Sequence, residues 1–261
     1  MPKPELALCA RSCTKQYAGD VGISGVDLQV DPGELAALLG PNGSGKSTFI
    51  HGLVGLHGFD AGTVTIAGHP HESVHAKQCL GFVPDELPIP LSLTGNEFLR
   101  HTARLRLGTP SELGVEMVDA LGLEPHLYKF IADMSHGTKK KLQLVAAAAH
   151  APALLIMDEP FRGLDPHAVR TIRAIVDALR STGTAVLVAT HDILAAEHWF
   201  DRVVILHEGT RIADGPPQDI IARGGARDLE DFFLSATRMS VQDRSPDRFR
   251  SVIVSERNRT E

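Results

Sequence analysis

A glycine-rich segment near residue 40, followed by a lysine and two hydroxyl residues, is typical of a phosphate-binding loop. It runs Gly40-Pro41-Asn42-Gly43-Ser44-Gly45-Lys46-Ser47-Thr48 and fits the pattern G-x-x-x-x-G-K-S/T. Glycines let successive backbone N–H groups turn towards a phosphate, and a helix that begins at the loop adds positive partial charge. We expect residues 40–48 to bind a nucleotide, with Lys46 reaching its β- and γ-phosphates and Ser47 coordinating Mg²⁺.

Two acidic residues and a histidine follow apolar segments further along the chain. Asp158 and Glu159 come directly after the run 154–157, and His191 follows the run 184–189. Ligands collect at the carboxyl ends of parallel strands, so these side chains are expected beside the phosphate-binding loop. Asp158 is then a candidate Mg²⁺ ligand, Glu159 a candidate base for an attacking water, and His191 a contact of the γ-phosphate.

The elements that must position these residues alternate between strands and helices. Apolar runs predict strands at 6–10, 35–39, 63–66, 153–157 and 184–189, and helical spacing predicts helices at 46–56, 94–107, 111–121 and 166–180. Thr94 and Ser111 are the expected N-caps of two of these helices. The alternation predicts an α/β fold with a mostly parallel sheet and a helical insertion.

Composition limits the class of protein. The 261 residues are 43% hydrophobic and carry a net charge of −6, which indicates a globular chain without an overall basic surface for nucleic acid. The longest apolar run, 145–157, is interrupted by His150 and Pro152 and is shorter than the roughly 20 residues of a membrane span. With no signal-peptide core and three cysteines outside any C-x-x-C motif, we expect a cytoplasmic protein, neither secreted nor fused to a transporter.

Together the motifs resemble the nucleotide-binding subunit of ABC transporters, over about residues 5–237. Met134-Ser135-His136-Gly137-Thr138-Lys139 resembles the family's signature loop, whose usual form is Leu-Ser-Gly-Gly-Gln. Gly163-Leu164-Asp165 resembles its D-loop, and Tyr17 stands where the family stacks an aromatic ring on adenine. The implied fold is a P-loop NTPase core with a mostly parallel sheet, an N-terminal antiparallel β-subdomain and a helical insertion.

The resemblance also implies a division of the chain. Residues 1–84 would form the first part of the ATP-binding core, 85–137 a helical subdomain ending in the signature loop, and 138–235 the second part of the core. Residues 236–261 hold six arginines against four acidic residues and are expected to form a flexible tail.

The family's mechanism would make the chain an Mg·ATP-hydrolysing subunit. Two subunits, expected to be two copies of this chain with a heterodimer left open, would enclose two ATP molecules head to tail. Residues 40–47 of one subunit would face Ser135 and Gly137 of the other, Glu159 would be the general base, and His191 would sense the γ-phosphate. Hydrolysis would drive a separate transmembrane subunit, through which alone the chain would associate with the inner face of the cell membrane.

Three of this sequence's departures from the family's pattern bear on its chemistry. His136 replaces the first signature glycine, Thr138 replaces glutamine, and Asp85 in Gly81-Phe-Val-Pro84-Asp85 stands where glutamine is common. The resemblance gives Asp85 a catalytic role in contact with the metal or the attacking water. The acidic residue at position 85 and the segments 93–99 and 228–234 resemble an export-type branch of the family, whose membrane subunits are separate chains. Export is therefore favoured over import. Residues 85–110 are the expected docking surface for that subunit.

Other interpretations have weaker support. A non-transport ABC ATPase acting on a ribosome or DNA usually carries two such domains or a coiled-coil insertion, and a P-loop kinase would leave the signature loop unexplained. A zinc or copper site could be formed by His69, His71, His75 and Cys79. We favour chance proximity among the 13 histidines, in a segment that the resemblance implies is a strand, a turn and a helix. The basic run 139–141 is expected on a solvated helix face rather than against nucleic acid. Cys9 and Cys13, four apart on a predicted strand, are expected to share one face.

Overall fold

Two β-sheets organise the chain in a computed structural model that describes residues 5–17, 22–85, 89–106 and 108–237. The strands are β1 (Leu8–Gln16), β2 (Gly22–Val30), β3 (Leu35–Leu39), β4 (Ala61–Ile66), β5 (His69–Pro70), β6 (Leu80–Val83), β7 (Leu154–Asp158), β8 (Ala185–Ala189), β9 (Arg202–His207) and β10 (Thr210–Gly215). The helices are α1 (Lys46–Leu53), α2 (Val74–Cys79), α3 (Gly95–Arg106), α4 (Glu112–Ala120), α5 (His136–Ala148), α6 (Pro166–Ser181), α7 (Ile193–Trp199), α8 (Pro217–Gly224) and α9 (Leu229–Ala236).

The larger sheet has the strand order β10-β9-β3-β8-β7-β6. Its neighbouring strands are parallel except for the β9–β10 pair. Strands β3, β7 and β8 are buried along their whole length, and alternate residues of each strand belong to separate hydrophobic clusters. Burial of both faces explains why these strands are continuous apolar runs in the sequence. The predicted α/β fold with a mostly parallel sheet is confirmed.

The smaller sheet is antiparallel and has the order β2-β1-β4-β5. Its strand β1 contains a bulge, because the register shifts between Ala10 and Cys13 and Ser12 has a φ of 49°. One extra residue reverses the alternation of side chains beyond it. The expectation that Cys9 and Cys13 share a face is therefore wrong: Cys13 is fully buried, whereas Cys9 is partly exposed.

Helices α3 and α4 occupy the segment that the sequence indicated as a helical insertion, and both begin at the expected caps. The Ser111 hydroxyl accepts the Gly114 N–H at 3.0 Å. At Thr94 the hydroxyl accepts the Glu97 N–H at 3.3 Å and the Glu97 carboxylate accepts the Thr94 N–H at 2.8 Å, which is a capping box.

The predicted bounds differ from the observed ones mainly at strand β1, expected at 6–10, and at helix α1, expected to reach residue 56. Strands β2, β5, β6, β9 and β10 were not predicted. Strand β2 alternates polar and apolar residues, β5 and β6 are short, and β10 is mostly polar, so none of them contains a long apolar run. Strand β9 does contain one, Val203-Val-Ile-Leu206, and the prediction missed it. The tail expected at 236–261 lies outside the described residues from 238 onwards. Among the described helices, none has the length and apolar character needed to cross a bilayer.

Candidate active site

Four neighbouring parallel strands of the larger sheet end at one cleft. Strand β3 leads into the loop 40–47, β8 into Thr190 and His191, β7 into Glu159, and β6 into Asp85. The cleft has a volume of about 730 Å³. It is lined by nine of the residues expected from the sequence, namely Gly40, Pro41, Asn42, Lys46, Ser47, Asp85, Asp158, Glu159 and His191. Local strand-and-turn order thus brings together residues that lie up to 151 positions apart, from 40 to 191.

Close packing explains the glycines at the two ends of the phosphate-binding loop. A Cβ atom on Gly40 would lie 2.3 Å from the Ser44 Oγ and 2.4 Å from the Leu206 carbonyl oxygen. Gly45 has a φ of 101°, and it turns the chain into α1. The Lys46 ammonium curls back and donates to the carbonyl oxygens of Gly40 at 2.6 Å and Pro41 at 3.2 Å. Burial lowers the pKa of Lys46, while the nearby carboxylates of Glu159 and Asp158 act in the opposite direction.

This loop fits a nucleotide phosphate. The Ser44 hydroxyl is buried and has no hydrogen-bond partner among the described residues. The first N–H groups of α1 have no partner within their own helix, so they are available to an anion. Lys46 already places its positive charge at the rim of the loop. Gly43, Ser44 and Gly45 belong to the same loop and Thr48 to the first turn of α1, although these four residues do not line the cleft.

The buried carboxylate of Asp158 is suited to a divalent cation. Its residue is only 6% exposed. Burial, followed by the charges of Asp85 and Glu159, raises the pKa of Asp158 to about 6, against the opposing effect of Lys46 and Lys140. A cation here would relieve the repulsion among these acids, and Mg²⁺ needs only one or two protein carboxylates beside phosphate oxygens and water. The Ser47 side chain lines the same cleft.

Glu159 has an unusual backbone conformation that is fixed by its neighbours. Its φ of 45° lies in the left-handed region, which costs about 1–2 kcal/mol for a residue with a Cβ. Its N–H donates to the Ala189 carbonyl at 2.9 Å, so β8 holds it from one side. Its carboxylate Oε1 lies 2.8 Å from the His191 Nδ1, and the Thr190 hydroxyl donates to Oε2 at 3.4 Å. Glu159 and His191 therefore form a pair at the mouth of the cleft, where His191 is exposed.

Asp85 contacts two cations. Its Oδ1 accepts from the Lys140 ammonium at 3.0 Å, and its Oδ2 lies 2.8 Å from the Arg162 guanidinium. The expectation that the basic run 139–141 lies on a solvated face is wrong for Lys140, whose side chain is 2% exposed. Lys140 is drawn into the protein because the Asp85 carboxylate and the Glu159 carbonyl oxygen, at 2.5 Å, compensate its buried charge.

The signature-like loop starts helix α5 rather than lining the cleft of its own chain. The Ser135 hydroxyl accepts the Thr138 N–H at 3.2 Å and lies 2.8 Å from the Thr138 hydroxyl. Gly137 faces the D-loop, because a Cβ atom there would lie 3.3 Å from a methyl group of Leu164. Ser135 and Gly137 are not among the described residues that line the 730 Å³ cleft. Tyr17 also lies outside it, 46% exposed and edge-on to the His57 ring at a centroid distance of 6.3 Å.

Sequence reasoning missed several residues of this site. His51 and Phe233 line the cleft, Arg162 lines it and pairs with Asp85, and Lys140 lies behind it. Arg162 lies between two motifs found in the sequence, since it follows Glu159 and directly precedes the D-loop residue Gly163. The sequence did not indicate that its partner would be Asp85. The sole tryptophan, Trp199, contacts the same segment, with its ring centroid 5.6 Å from that of Phe161.

Comparison with known proteins identifies the family. The family model described as ABC transporter matches residues 23–162, which is more than half of the chain. The chain belongs to the ABC transporter ATP-binding family. Members of this family hydrolyse ATP, so the predicted family and the predicted ATPase activity are both confirmed.

Two relatives and one solved structure resemble this ABC ATPase over most of its length. It is 34% identical over 223 residues to the linearmycin resistance ATP-binding protein LnrL of Bacillus subtilis, covering 84% of this chain and 72% of that protein. It is 35% identical over 224 residues to the Nod factor export ATP-binding protein I of Rhizobium meliloti, and the alignment covers 84% of this chain and 67% of that protein. A structure described as an ATP-binding subunit of an ABC transporter superimposes with a TM-score of 0.83 at 31% identity, covering 88% and 99%.

Proposed function

We propose that this ABC ATPase hydrolyses Mg·ATP to drive transport, with export favoured, through a separate membrane protein. The observation that carries the proposal is the convergence in one cleft of the Lys46 ammonium, the buried Asp158 carboxylate and the Glu159–His191 pair. These are the groups needed to bind a triphosphate and direct a water at its terminal phosphorus.

The residues have distinct roles in this proposal. The loop 40–48 and Lys46 bind the phosphates, and Tyr17 stacks on the adenine. Ser47 and Asp158 hold Mg²⁺, which when bound neutralises charge on the phosphate oxygens. Glu159 accepts a proton from the attacking water as general base. His191 orients the Glu159 carboxylate through their 2.8 Å contact and senses the γ-phosphate.

Completion of the site is proposed to need a second subunit, a second copy of this chain being the simplest. Ser135 begins a helix of 13 residues, and a helix N-terminus with a hydroxyl cap is suited to a phosphate. Neither Ser135 nor Gly137 lines the cleft of its own chain, which favours a role for them on the nucleotide of the partner.

A Glu159→Gln variant tests this mechanism. Glutamine keeps the size of the side chain but cannot accept the proton of water, so we expect ATP hydrolysis to fall at least 100-fold while ATP binding persists. Bound and unhydrolysed ATP should then stabilise a dimer visible by light scattering, because ligand and partner binding are linked. A Glu197→Gln variant is the matched control, since that carboxylate accepts the Leu229 N–H and lies outside the cleft. A Glu159→Gln variant that stays monomeric in saturating Mg·ATP would contradict the enclosed-nucleotide mechanism.

The membrane partner and the direction of transport are inferred from relatives and from one surface. The names of the two relatives refer to linearmycin resistance and to Nod factor export, which favours export. We place the docking surface on residues 85–110, where Leu91 and Leu105 are exposed apolar side chains. On this proposal the chain is cytoplasmic and associates with the membrane through its partner, without a role for nucleic acid.

Co-purification tests the partner directly. The tagged chain is extracted from its native membranes in mild detergent, and the proteins that accompany it are identified by mass spectrometry. A stoichiometric polytopic membrane protein is the expected result. Ribosomal or DNA-bound proteins in its place would favour the alternative of a non-transport ABC ATPase.

The division of the chain into functional parts stays a prediction. We propose a first core part at 1–84, a helical subdomain at 85–137 and a second core part at 138–235, with 236–261 as a tail. Support comes from the elements within these ranges, since α3 and α4 lie in the second while β3, β7 and β8 lie in the core parts.

A further inference from the structure

A cluster of three charged side chains connects three segments beside the nucleotide cleft. Asp85 follows β6, Lys140 lies in the first turns of α5, and Arg162 lies between Glu159 and the D-loop. Lys140 contacts Asp85 Oδ1 at 3.0 Å, and Arg162 contacts Asp85 Oδ2 at 2.8 Å. Both carboxylate oxygens of Asp85 thus accept from cations.

Lys140 also contacts the backbone of the proposed general base. Its ammonium donates to the Glu159 carbonyl oxygen at 2.5 Å, and the Arg162 N–H donates to the same oxygen at 3.3 Å. The preceding peptide is held as well, because the Glu159 N–H donates to the Ala189 carbonyl oxygen. The left-handed conformation of Glu159 is therefore fixed from both sides, and Lys140 supplies the charged contact. Unfavourable backbone conformations persist only where the surroundings determine them in this way.

We infer that Lys140 is a positioning residue for ATP hydrolysis, and that Asp85 holds Lys140 and Arg162 in place instead of binding the metal. The inference rests on the proposed role of Glu159 as general base. Lys140 fixes the Glu159 peptide, and through it the direction in which the carboxylate points at the water. The Asp85 carboxylate compensates the charge of Lys140, whose side chain is only 2% exposed to solvent.

The kinetic signature follows from where the contacts lie. Lys140 does not line the nucleotide cleft, so its loss should leave ATP binding intact. A misplaced catalytic group costs rate, by up to about 100-fold for a displacement of about 1 Å. Lys140→Met keeps an unbranched side chain but removes the terminal ammonium, and it should lower kcat by about 10- to 100-fold, with the KM for ATP changed less than about threefold. Lys140→Arg retains the positive charge and should recover most of the rate.

A matched control and a stability control separate positioning from folding. Lys141→Met removes a neighbouring lysine that donates to the Leu121 carbonyl at 3.2 Å, and it should leave kcat within about twofold. Asp85→Leu combined with Lys140→Met replaces the buried pair by apolar side chains, which often preserves stability. This double variant should melt close to the unsubstituted protein and still lose kcat. Recovery of full kcat in it would overturn the inference.

Two further measurements distinguish the inference from the proposals on which it depends. Asp85→Asn should leave the Mg²⁺ concentration for half-maximal activity unchanged, whereas a rise of more than tenfold would show Asp85 to be a metal ligand and overturn the inference. Lys140→Met added to Glu159→Gln should cause no further loss of kcat, because both changes act through Glu159. If Glu159→Gln itself keeps full activity, the role of Glu159 fails. If Glu159→Gln does lower kcat, and Lys140→Met lowers it further by the same factor as in the unsubstituted protein, then Lys140 does not act through Glu159. That result would refute the positioning role of Lys140 and leave the role of Glu159 standing.

Discussion

At the scale of single residues, burial sets ionisation properties away from the cleft as well, and His150 gives the most direct consequence. Burial, followed by the charge of Arg106, lowers the pKa of His150 to about 4, whereas an unfolded histidine titrates near 6.5. Between these values the unfolded chain binds a proton that the folded chain does not, so stability falls as the pH drops from about 7 to 4.

A His150→Gln variant checks this consequence, because glutamine cannot be protonated in that range. Chemical denaturation at several pH values gives the free energy of unfolding of each protein. The unsubstituted protein should lose about 1–2 kcal/mol more than the variant between pH 7 and pH 4.5, a figure reduced for partial solvent access. His101→Gln, at an exposed position of α3, is the control and should follow the unsubstituted protein. Parallel curves for His150→Gln and the unsubstituted protein would rule out a neutral His150 in the fold.

Residues with local signals could be predicted, and residues defined by tertiary contacts could not. The loop 40–48 and the two acids at the end of β7, Asp158 and Glu159, follow from short motifs attached to apolar strands, so their positions at the carboxyl ends of the strands were predictable. Lys140 belongs to a basic run that has the same sequence whether it is solvated or buried. Its inward orientation depends on Asp85, 55 positions away in the chain. No local pattern contains that information.

At the scale of elements, the bulge in β1 decides which cysteine is protected. The reversed alternation places Cys13 in the core, where burial raises the pKa of its thiol to about 11 against the opposing effect of the Arg11 carbonyl. A thiol of this kind is scarcely ionised at pH 8 and inaccessible to reagents. Cys9 and Cys79 are partly exposed.

Alkylation followed by mass spectrometry tests the bulge. In the folded protein at pH 8, Cys9 and Cys79 should react with iodoacetamide while Cys13 stays unmodified, and all three should react in denaturant. Equal labelling of Cys9 and Cys13 in the folded protein would mean that β1 has the regular alternation expected from the sequence. Bulges of this kind are hard to predict, because they depend on pairing with β2 and β4 rather than on the strand itself.

For the molecule as a whole, the larger sheet brings segments that are distant in the sequence together at the carboxyl ends of its parallel strands. Hydrophobic clusters cover both of its faces, and the segments after β3, β6, β7 and β8 are the parts left to bind and react. The general architecture could be predicted from the alternation of strands and helices. The strand order could not, since β8 lies between β3 and β7 although it follows both in the chain.

The single tryptophan gives this chain an optical reporter of its own. The Trp199 ring makes an edge-to-face contact with the ring of Phe161, which lies two positions after Glu159. The Arg173 guanidinium carbon lies 4.8 Å from the centroid of the Trp199 ring. Indole emission responds to the distance of nearby charges and to water, so movement of the segment 159–165 on nucleotide binding should change its intensity or wavelength. The unlabelled protein could thus be followed by stopped-flow fluorescence, and nucleotide binding, enclosure and release could be timed without attaching a dye.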